Sequence, residues 1–192
     1  MIHIKEELAQ TGFSINPLSH IIKKKQGKSD FNTLEYFCIL FVLDDLTITI
    51  EDQTYYVKGN SVVFMGPHKT LSFNDYKRQE IYMVSFSSLF YEHYSNNPVC
   101  LYSILFFNSR SNIFIFPYAH APKNMIRYSL IDRLFNFQSK NKKLFISAVY
   151  TTIESLILDA SLALNNRIKN TAETSENSTD ILTSFNMKIS QN

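Results

Sequence analysis

The sequence predicts a small β-barrel or sandwich followed by two amphipathic helices, and three observations support that prediction. Short apolar, β-branched and aromatic runs alternate with turn residues at close intervals between residues 35 and 86, a pattern typical of all-β domains. From Met125 onward, apolar residues recur instead at three- and four-residue intervals, the period of an amphipathic helix. The chain has 192 residues, 45% of them hydrophobic and 4 of them glycine, which suits one folded core with a helical annex rather than a disordered polypeptide.

Turn residues divide the β-rich segment into short strands. We predict strands over residues 36–43, 47–50, 54–57, 61–65, 70–73 and 80–86. The run 37–43 is apolar at every position, so we expect it to be covered on both faces and to lie at the heart of the fold. The strict alternation in 47–50 predicts instead that one face of that strand is wet.

The segment after these strands completes the β-rich part. Ser87-Ser88 is a suitable N-cap for a short helix through Tyr94. Residues 101–107 and 113–116 then predict a last hairpin, because turn-forming residues fill the interval between them.

Two predicted helices follow, each with a stripe of apolar residues along one face, and we assign the two stripes different roles. The first stripe, which includes Leu130 and Leu134, is expected to cover the barrel. The second is longer than one small barrel needs, so it predicts pairing with a second copy of the chain across a two-fold axis. The predicted dimer interface consists of Ile153, Leu156, Ile157 and Leu164. Residues 170–178, rich in Thr, Ser, Glu and Asn, predict a linker.

Charge and hydropathy narrow the class of partner. The net charge of +2 and a single basic run, Lys23-Lys24-Lys25, give no domain-wide basic field, so DNA contact by this chain alone is not expected. The amino end carries no apolar stretch like that of a signal peptide. The longest uninterrupted apolar run, Phe37 to Leu43, is far shorter than the roughly 20 residues of a spanning helix. We therefore predict a soluble, cytoplasmic protein without membrane contact, whose two cysteines, Cys38 and Cys100, stay reduced.

The sequence names no residues for catalysis. A metal-dependent barrel needs clustered histidines with a nearby glutamate, but His68 is followed by Lys69 and Thr70, and the other histidines are scattered singly. The glycines are isolated, so they form no phosphate-binding loop, and no serine stands in a glycine-flanked elbow. We predict no catalytic residue, no metal ion and no cofactor, and hence a protein that is not an enzyme.

Taken in order, these parts resemble the AraC-type transcription regulators. Residues 47–68, which run from Thr47-Ile-Thr-Ile to Met-Gly-Pro-His68, are similar to that family's barrel hairpins and proline loop. Ile81-Tyr-Met-Val-Ser-Phe86 is similar to its next strand, and 179–189 to the helix that approaches its DNA-binding domain. The resemblance covers roughly residues 31–164. It departs from the family where Asp44-Asp45 replaces a frequent glycine in the first hairpin.

The resemblance implies a mainly β fold with α-helices, in which a cupin-like barrel of the double-stranded β-helix or jelly-roll type is followed by two amphipathic helices. It implies a cupin-like regulatory domain over 1–120, a helical dimerisation region over 121–169, and over 170–192 a linker and the start of a truncated DNA-binding domain. Both helix-turn-helix motifs of the family are absent. We interpret the chain as an amino-terminal fragment rather than a natural short form, because the helix that begins near Ser178 has no core to pack against.

The family architecture also implies a small-molecule effector inside the barrel, near the strand 81–86. The expected contacts are His68, Ile81, Met83 and Phe41. If Ile81 and Met83 point inward, the pocket is apolar, which favours a hydrophobic ligand or a filled barrel without a ligand over a sugar. DNA would then be bound only through the missing carboxy-terminal half.

Two alternatives stay open on the sequence alone. The first is a cupin-type metal-dependent enzyme with an unusual site that uses His68, Glu80 or His93. The second is a purely structural dimerisation domain, for which Leu156→Asp would give a monomer with an intact barrel.

Overall fold

A computed structural model of the chain describes residues 2–24, 30–73, 80–95, 98–108, 112–117, 134 and 143–165. The chain divides into two compact units, residues 1–154 and residues 155–192. In the second unit the described residues are 155–165, which are helical throughout. The fold described below is that of the first unit.

The described residues of the first unit form nine strands and several short helices. The helices are α1 (Ile2–Thr11), α2 (Leu18–Lys24), α3 (Ser88–Tyr94) and a 3-10 helix over Pro98–Tyr102, followed by the start of α4 (Lys143–Asn165). The strands are β1 (Phe13–Pro17), β2 (Asp30–Asn32), β3 (Phe37–Val42), β4 (Leu46–Ile50), β5 (Gln53–Val57), β6 (Ser61–Met65), β7 (Thr70–Phe73), β8 (Ile81–Phe86) and β9 (Phe114–Pro117).

The strands form two antiparallel sheets rather than one closed ring. One sheet has the order β1-β8-β3-β6-β9 and the other the order β2-β7-β4-β5. Within the described residues no strand joins the two sheets by hydrogen bonds, so the container expected from the sequence is open at its sides. The predicted class, mainly β with α-helices, is confirmed, and so are the six strands from β3 to β8.

One core cluster fills the space between the sheets. Side chains from both sheets contribute to it, and β3 supplies Cys38, Leu40 and Val42 while β4 supplies Leu46, Ile48 and Ile50. All six are at most 3% exposed. Because successive residues of a strand point to opposite faces, every second residue of these strands enters this cluster.

The other face of the five-stranded sheet is buried as well, under a layer of aromatic rings. Phe37 stacks on Phe86 with ring centroids 5.7 Å apart, and Phe106 packs edge-on against Phe37 at 5.1 Å. Tyr91 from α3 lies 6.2 Å from Phe86. With both of its faces covered, β3 is the central strand, as its unbroken apolar run predicts.

The segment after α3 differs from its prediction. Residues 101–107 were expected to form a strand of a last hairpin, but the chain continues from the 3-10 helix Pro98–Tyr102 into turns, and β9 pairs with β6 instead. Leu101 and Leu105 are both buried. Phe106, next to Leu105, is buried as well. A short apolar run that is buried at adjacent positions does not by itself distinguish a strand from turns, which explains why this prediction was wrong.

Helix α4 is long and apolar enough to cross a membrane when judged by length and composition alone. It is the one such helix among the described residues, and 39% of its most apolar window is buried inside the chain. Core helices of soluble proteins share this composition, so the observation is weak evidence for a membrane. The longest uninterrupted apolar run, at 37–43, forms the buried strand β3 instead.

Burial makes the Cys38 thiol a poor nucleophile. Its Sγ lies 3.3 Å from Ser85 Oγ inside the core, and burial raises the pKa of Cys38 from 9.0 to about 11. Cys100 is only partly buried. The folded chain therefore holds the Cys38 proton more tightly than the unfolded chain does. The contribution of this thiol to the free energy of unfolding is complete below pH 9 and is lost as the pH rises towards 11.

This difference gives a prediction for thiol labelling. In a Cys100→Ser variant at pH 8, iodoacetamide should modify Cys38 at least about 100-fold more slowly in the folded protein than in denaturant, because the thiolate fraction falls with the raised pKa. The matched Cys38→Ser variant, which retains Cys100, should show a much smaller ratio. Mass spectrometry of timed samples measures both rates, and equal folded and denatured rates for Cys38 would contradict its burial.

Candidate effector site

The structure separates the four residues predicted to contact an effector. Ile81 and Met83 are 2% and 7% exposed and belong to the core cluster between the sheets. Phe41 is buried on the opposite face of β3, since its neighbours Leu40 and Val42 point into that cluster. His68 is exposed in the β6–β7 turn, where it adopts a φ of 60°. Only Ile81 and Met83 therefore line the same space, and ligand contact by any of the four stays a prediction.

The residues predicted to form a dimer interface are largely inaccessible in a single chain. Ile153, Leu156 and Ile157 are at most 1% exposed, and Leu164 is half-buried. The exposed apolar side chains of this part of α4 are Leu158 and Leu162, at 54% and 62%. Pairing itself stays a prediction.

The structure does not bring His68, Glu80 and His93 together as a metal site. Among the described residues, no three His, Cys, Asp or Glu side chains lie close enough to hold one ion. His93 is exposed and packs edge-on against the ring of Tyr94, with centroids 4.7 Å apart. No donor set in the described part of the chain therefore supports the metal-enzyme alternative.

A cavity that the sequence did not predict lies at the edge of the five-stranded sheet. Its volume is about 210 Å³, and it is partly open to solvent. Three elements line it: α1, the edge strand β1 and the first turn of α4. The lining residues are Glu7, Thr11, Phe13, Ser14, Ile15, Phe145 and Ile146.

A tight turn between α1 and β1 places the polar side of the cavity. Gly12 adopts a φ of 78°, and a Cβ atom there would lie 2.8 Å from Cβ of Phe90, so glycine suits this position for two reasons. The hydroxyl of Thr11 lies 2.8 Å from the carbonyl oxygen of Glu7 and 2.7 Å from that of Phe13. The turn therefore brings α1 back along β1.

Hydrogen bonds fix the carboxylate of Glu7 against β1. Its Oε2 atom accepts from Ser14 Oγ at 2.6 Å and from Asn16 Nδ2 at 3.0 Å. Asn16 Nδ2 also donates to Ser14 Oγ at 2.8 Å. Ser14 and Asn16 are two residues apart and share one face of β1, so the strand supplies both donors to one acceptor.

Aromatic and aliphatic side chains form the other side of the cavity. The ring of Phe13 packs edge-on against Phe145 of α4, with centroids 5.4 Å apart. It also packs against Phe90 of α3 at 4.9 Å, with the two ring planes tilted by 50°. Ile15 and Ile146 complete this side. A molecule in the cavity would therefore touch both the sheet edge and the beginning of α4.

A second contact ties α4 to the sheet through α3. The hydroxyl of the buried Tyr91 donates a hydrogen bond to Oε2 of Glu154. Burial, and then this hydrogen bond to Glu154, raise the pKa of Tyr91 far above its ordinary value. The phenol thus stays a proton donor to the carboxylate. The rings of Tyr94 and Tyr150 pack beside it, 5.6 Å apart.

Comparison with known proteins bears on the fold. No protein-family model and no curated protein matches the sequence. The apo structure of a variant of ToxT from Vibrio cholerae, an AraC-family regulator, matches this chain with a TM-score of 0.50 and 11% sequence identity. The match covers 81% of this chain and 58% of the ToxT chain. The chain therefore shares the fold of the matched part of that ToxT structure.

Two other ToxT structures match less closely. The structure with a bound unsaturated fatty acid matches with a TM-score of 0.35 and 12% identity over 74% of this chain and 51% of its own. The structure bound to a methylnaphthalenyl butenoic acid matches with a TM-score of 0.38 and 10% sequence identity. That match covers 73% of this chain and 54% of the ToxT chain. The chain thus spans a little over half the length of the ToxT chains it matches. The predicted resemblance, including its cupin-like β fold, is confirmed at the level of the fold.

Proposed function

We propose that the chain is the effector-sensing and dimerisation region of an AraC-type bacterial transcription regulator that works in the cytoplasm. The observation that carries the proposal is the shared fold with ToxT over 81% of the chain. In this proposal residues 1–120 sense the effector, residues 121–169 dimerise, and residues 170–192 lead towards a separate DNA-binding half. It assigns the chain no catalytic role.

The cavity at the β1 edge is the proposed effector site. It touches α4 through Phe145 and Ile146, and Glu154 lies further along the same helix against Tyr91. An effector changes a regulator only by binding one arrangement more tightly than another. A ligand that contacts both the sheet edge and α4 meets this requirement, because its affinity depends on where α4 lies.

For the homodimer we place the pairing surface on Leu158 and Leu162. These leucines are exposed on one face of α4, whereas Ile153, Leu156 and Ile157, which the sequence predicts for the interface, are already buried within the chain. Burying two leucines from each copy favours association by the hydrophobic effect.

A repression assay tests the proposal. The chain is fused to a DNA-binding domain that represses a reporter only as a dimer, and repression is measured with and without a library of small metabolites. We expect the fusion to repress, Leu158→Glu combined with Leu162→Glu to abolish repression, and the exposed α3 leucine control, Leu89→Glu, to leave it unchanged.

The outcomes separate the alternatives. Repression that responds to no compound would favour a purely structural dimerisation domain over an effector-sensing one. A fusion that never represses, together with a monomeric mass in sedimentation, would contradict dimerisation.

A further inference from the structure

We propose that the edge strand β5 pairs with the β5 strand of a second copy of the chain, antiparallel and across a two-fold axis. This contact goes beyond the proposed function, because it uses a different surface from the one placed on α4. Three observations support it: the direction of the backbone groups of β5, its composition compared with the other edge strands, and the charges at its two ends.

The turn before β5 determines which of its backbone groups face its neighbour. β5 is the end strand of the four-stranded sheet, next to β4. Ile50 and Gln53 close a two-residue turn, Glu51-Asp52, in which both residues have positive φ. In such a hairpin the closing residues bond to each other, and the bonds then recur at every second residue. The residues whose N–H and C=O groups point away from β4 are therefore Thr54 and Tyr56.

The next strand of the sheet supports this direction. Thr49 lies opposite Thr54 on one side and pairs with β7 on the other. The amide of Glu51 donates to the carbonyl oxygen of Thr70 in β7 at 3.0 Å, so Thr49, two residues earlier, also directs its backbone bonds to β7. Thr54 then has no backbone partner in β4. Thr54 is exposed, and Tyr56 is 60% exposed, so this edge is accessible to another strand.

The other edge strands of the two sheets are short or end in proline. β2 has three residues. β1 ends at Pro17, and the hydroxyl of Thr11 occupies the carbonyl oxygen of Phe13. β9 ends at Pro117. Short strands and prolines protect sheet edges against pairing. β5 instead has five residues in unbroken register with β4, and none of the five is charged or a proline.

The charges at the two ends of β5 fit a second copy of the same strand. Asp52 precedes the strand and Lys58 follows it, and both are exposed. If Thr54 pairs with Tyr56 of the second copy, each Asp52 lies opposite a Lys58, because both stand two residues beyond a paired position. Opposite charges at facing cross-strand positions favour pairing. A shift of the register by two residues would bring neither Asp52 nor Lys58 opposite the other.

The contact is small, so we expect it to be weak. In each facing pair, Thr54 and Tyr56 exchange both of their N–H···O bonds. The Tyr56 hydroxyl donates to Asp45 Oδ2 at 2.5 Å, which holds its ring along the outer face of the sheet. An interface below about 1,200 Å² is typical of transient association. Because the α4 surface is a second two-fold contact, the two contacts together would join copies into assemblies larger than a dimer.

Amide hydrogen exchange of the whole chain, followed by nuclear magnetic resonance, tests the proposal. The chain carries Leu158→Glu and Leu162→Glu, which remove the proposed α4 contact and so separate the two contacts. Between about 0.02 and about 1 mM protein, exchange at Thr54 and Tyr56 should slow at least about threefold. The amides of Gln53, Tyr55 and Val57, which face β4, should not change.

Charge variants in the same background test the register, with association measured by sedimentation equilibrium. Lys58→Glu makes both facing pairs like-charged and should weaken association about 10-fold. Adding Asp52→Asn removes the repulsion and should recover at least about threefold of that loss; asparagine tolerates the positive φ of this position. Lys143→Glu, the same change at an exposed position in α4, should leave association within about twofold.

A backbone variant tests the hydrogen bonds. Thr54→Pro removes an N–H that points away from β4, so the fold should persist while association is lost. Thr54→Val, which keeps the N–H, should associate within about twofold of the parent. Exchange at Thr54 and Tyr56 that does not depend on concentration, or that is already slow in dilute solution, would overturn the proposal. Equal association of Thr54→Pro and Thr54→Val, or no effect of Lys58→Glu, would also overturn it.

Discussion

Replacing Phe86 by alanine should lower the free energy of unfolding by about 3–5 kcal/mol, the usual cost of removing a fully buried ring. Phe86 is 0% exposed and lies in β8, between β1 and β3. Its ring contacts those of Phe37, Tyr91 and Phe106 at centroid distances of 5.7, 6.2 and 6.2 Å. The cavity left by the substitution would lie where α3 and the 3-10 segment meet the sheet, so the surrounding rings would lose contact with the strand.

Phe107→Ala is the matched control for this prediction. Phe107 is 49% exposed, and its ring lies 6.1 Å from both Phe37 and Tyr102. Because only about half of that ring is buried, the loss should be about 1 kcal/mol. Urea unfolding followed by far-ultraviolet circular dichroism measures both variants. Equal losses at the two positions would show that the aromatic layer does not carry the stability assigned to it.

The strands that could be predicted from sequence are those separated by clear turn residues. From β3 to β8, each predicted strand matches the structure to within one residue at either end, because Asp44-Asp45, Glu51-Asp52 and Gly59-Asn60 interrupt the apolar runs. Glu51, Asp52 and Asn60 all adopt positive φ, a conformation that Asp and Asn tolerate better than most residues. Local turn chemistry and side-chain alternation were therefore sufficient for this part.

The amino-terminal elements were missed because their patterns are short. The strand β1, with Ser14 and Asn16 alternating with Phe13 and Ile15, carries a period-2 signal over only five residues. It lies between two helices of ten and seven residues, and neither shows a long apolar stripe. The one available signal was the glycine before the alternating stretch, since Gly12 with positive φ marks the turn that begins β1.

The cavity could not be predicted because chain folding alone brings its walls together. Glu7 and Phe145 are far apart in sequence and line the same cavity. The expectation that Ile81 and Met83 point inward agrees with their membership of the core cluster. Phe41 was assigned to the same pocket, although alternation from Leu40 places it on the other face of β3. Alternation identifies which residues share a face but not which face meets a ligand.

The second large effect is expected at the contact between α3 and α4. Tyr91→Phe and Glu154→Leu should each lower the free energy of unfolding by about 1–3 kcal/mol, because each removes a hydrogen bond between a buried phenol and a carboxylate. Tyr91→Phe removes one donor from the Glu154 carboxylate, which also bonds with the hydroxyl of Tyr150. Glu154→Leu removes the carboxylate acceptor of the buried Tyr91 hydroxyl, which keeps its bond with Ser95. The double variant should lose less than the sum of the two single losses, with a coupling of about 1–3 kcal/mol.

The matched control for this cycle is Tyr102→Phe. Tyr102 also donates its hydroxyl to a glutamate, Glu92, at 3.3 Å, but its side chain is 61% exposed. Water can replace that partner, so the change should be within about 0.5 kcal/mol. A coupling near zero between Tyr91 and Glu154, or a loss at Tyr102 as large as that at Tyr91, would contradict the role assigned to burial.

The same variants connect this contact to regulation. Hydrogen exchange in α4 should speed up in Tyr91→Phe while the amides of β3 stay protected, because the lost bond holds the helix and not the central strand. An effector in the β1-edge cavity contacts Phe145, which precedes Glu154 in α4 by about two and a half helical turns. Binding should therefore slow amide hydrogen exchange in α4 of the unmodified chain. The slowing should be larger in Tyr91→Phe, because more of the helix remains to be ordered by the ligand. If exchange in α4 is the same with and without ligand in both proteins, the cavity does not act on the helix.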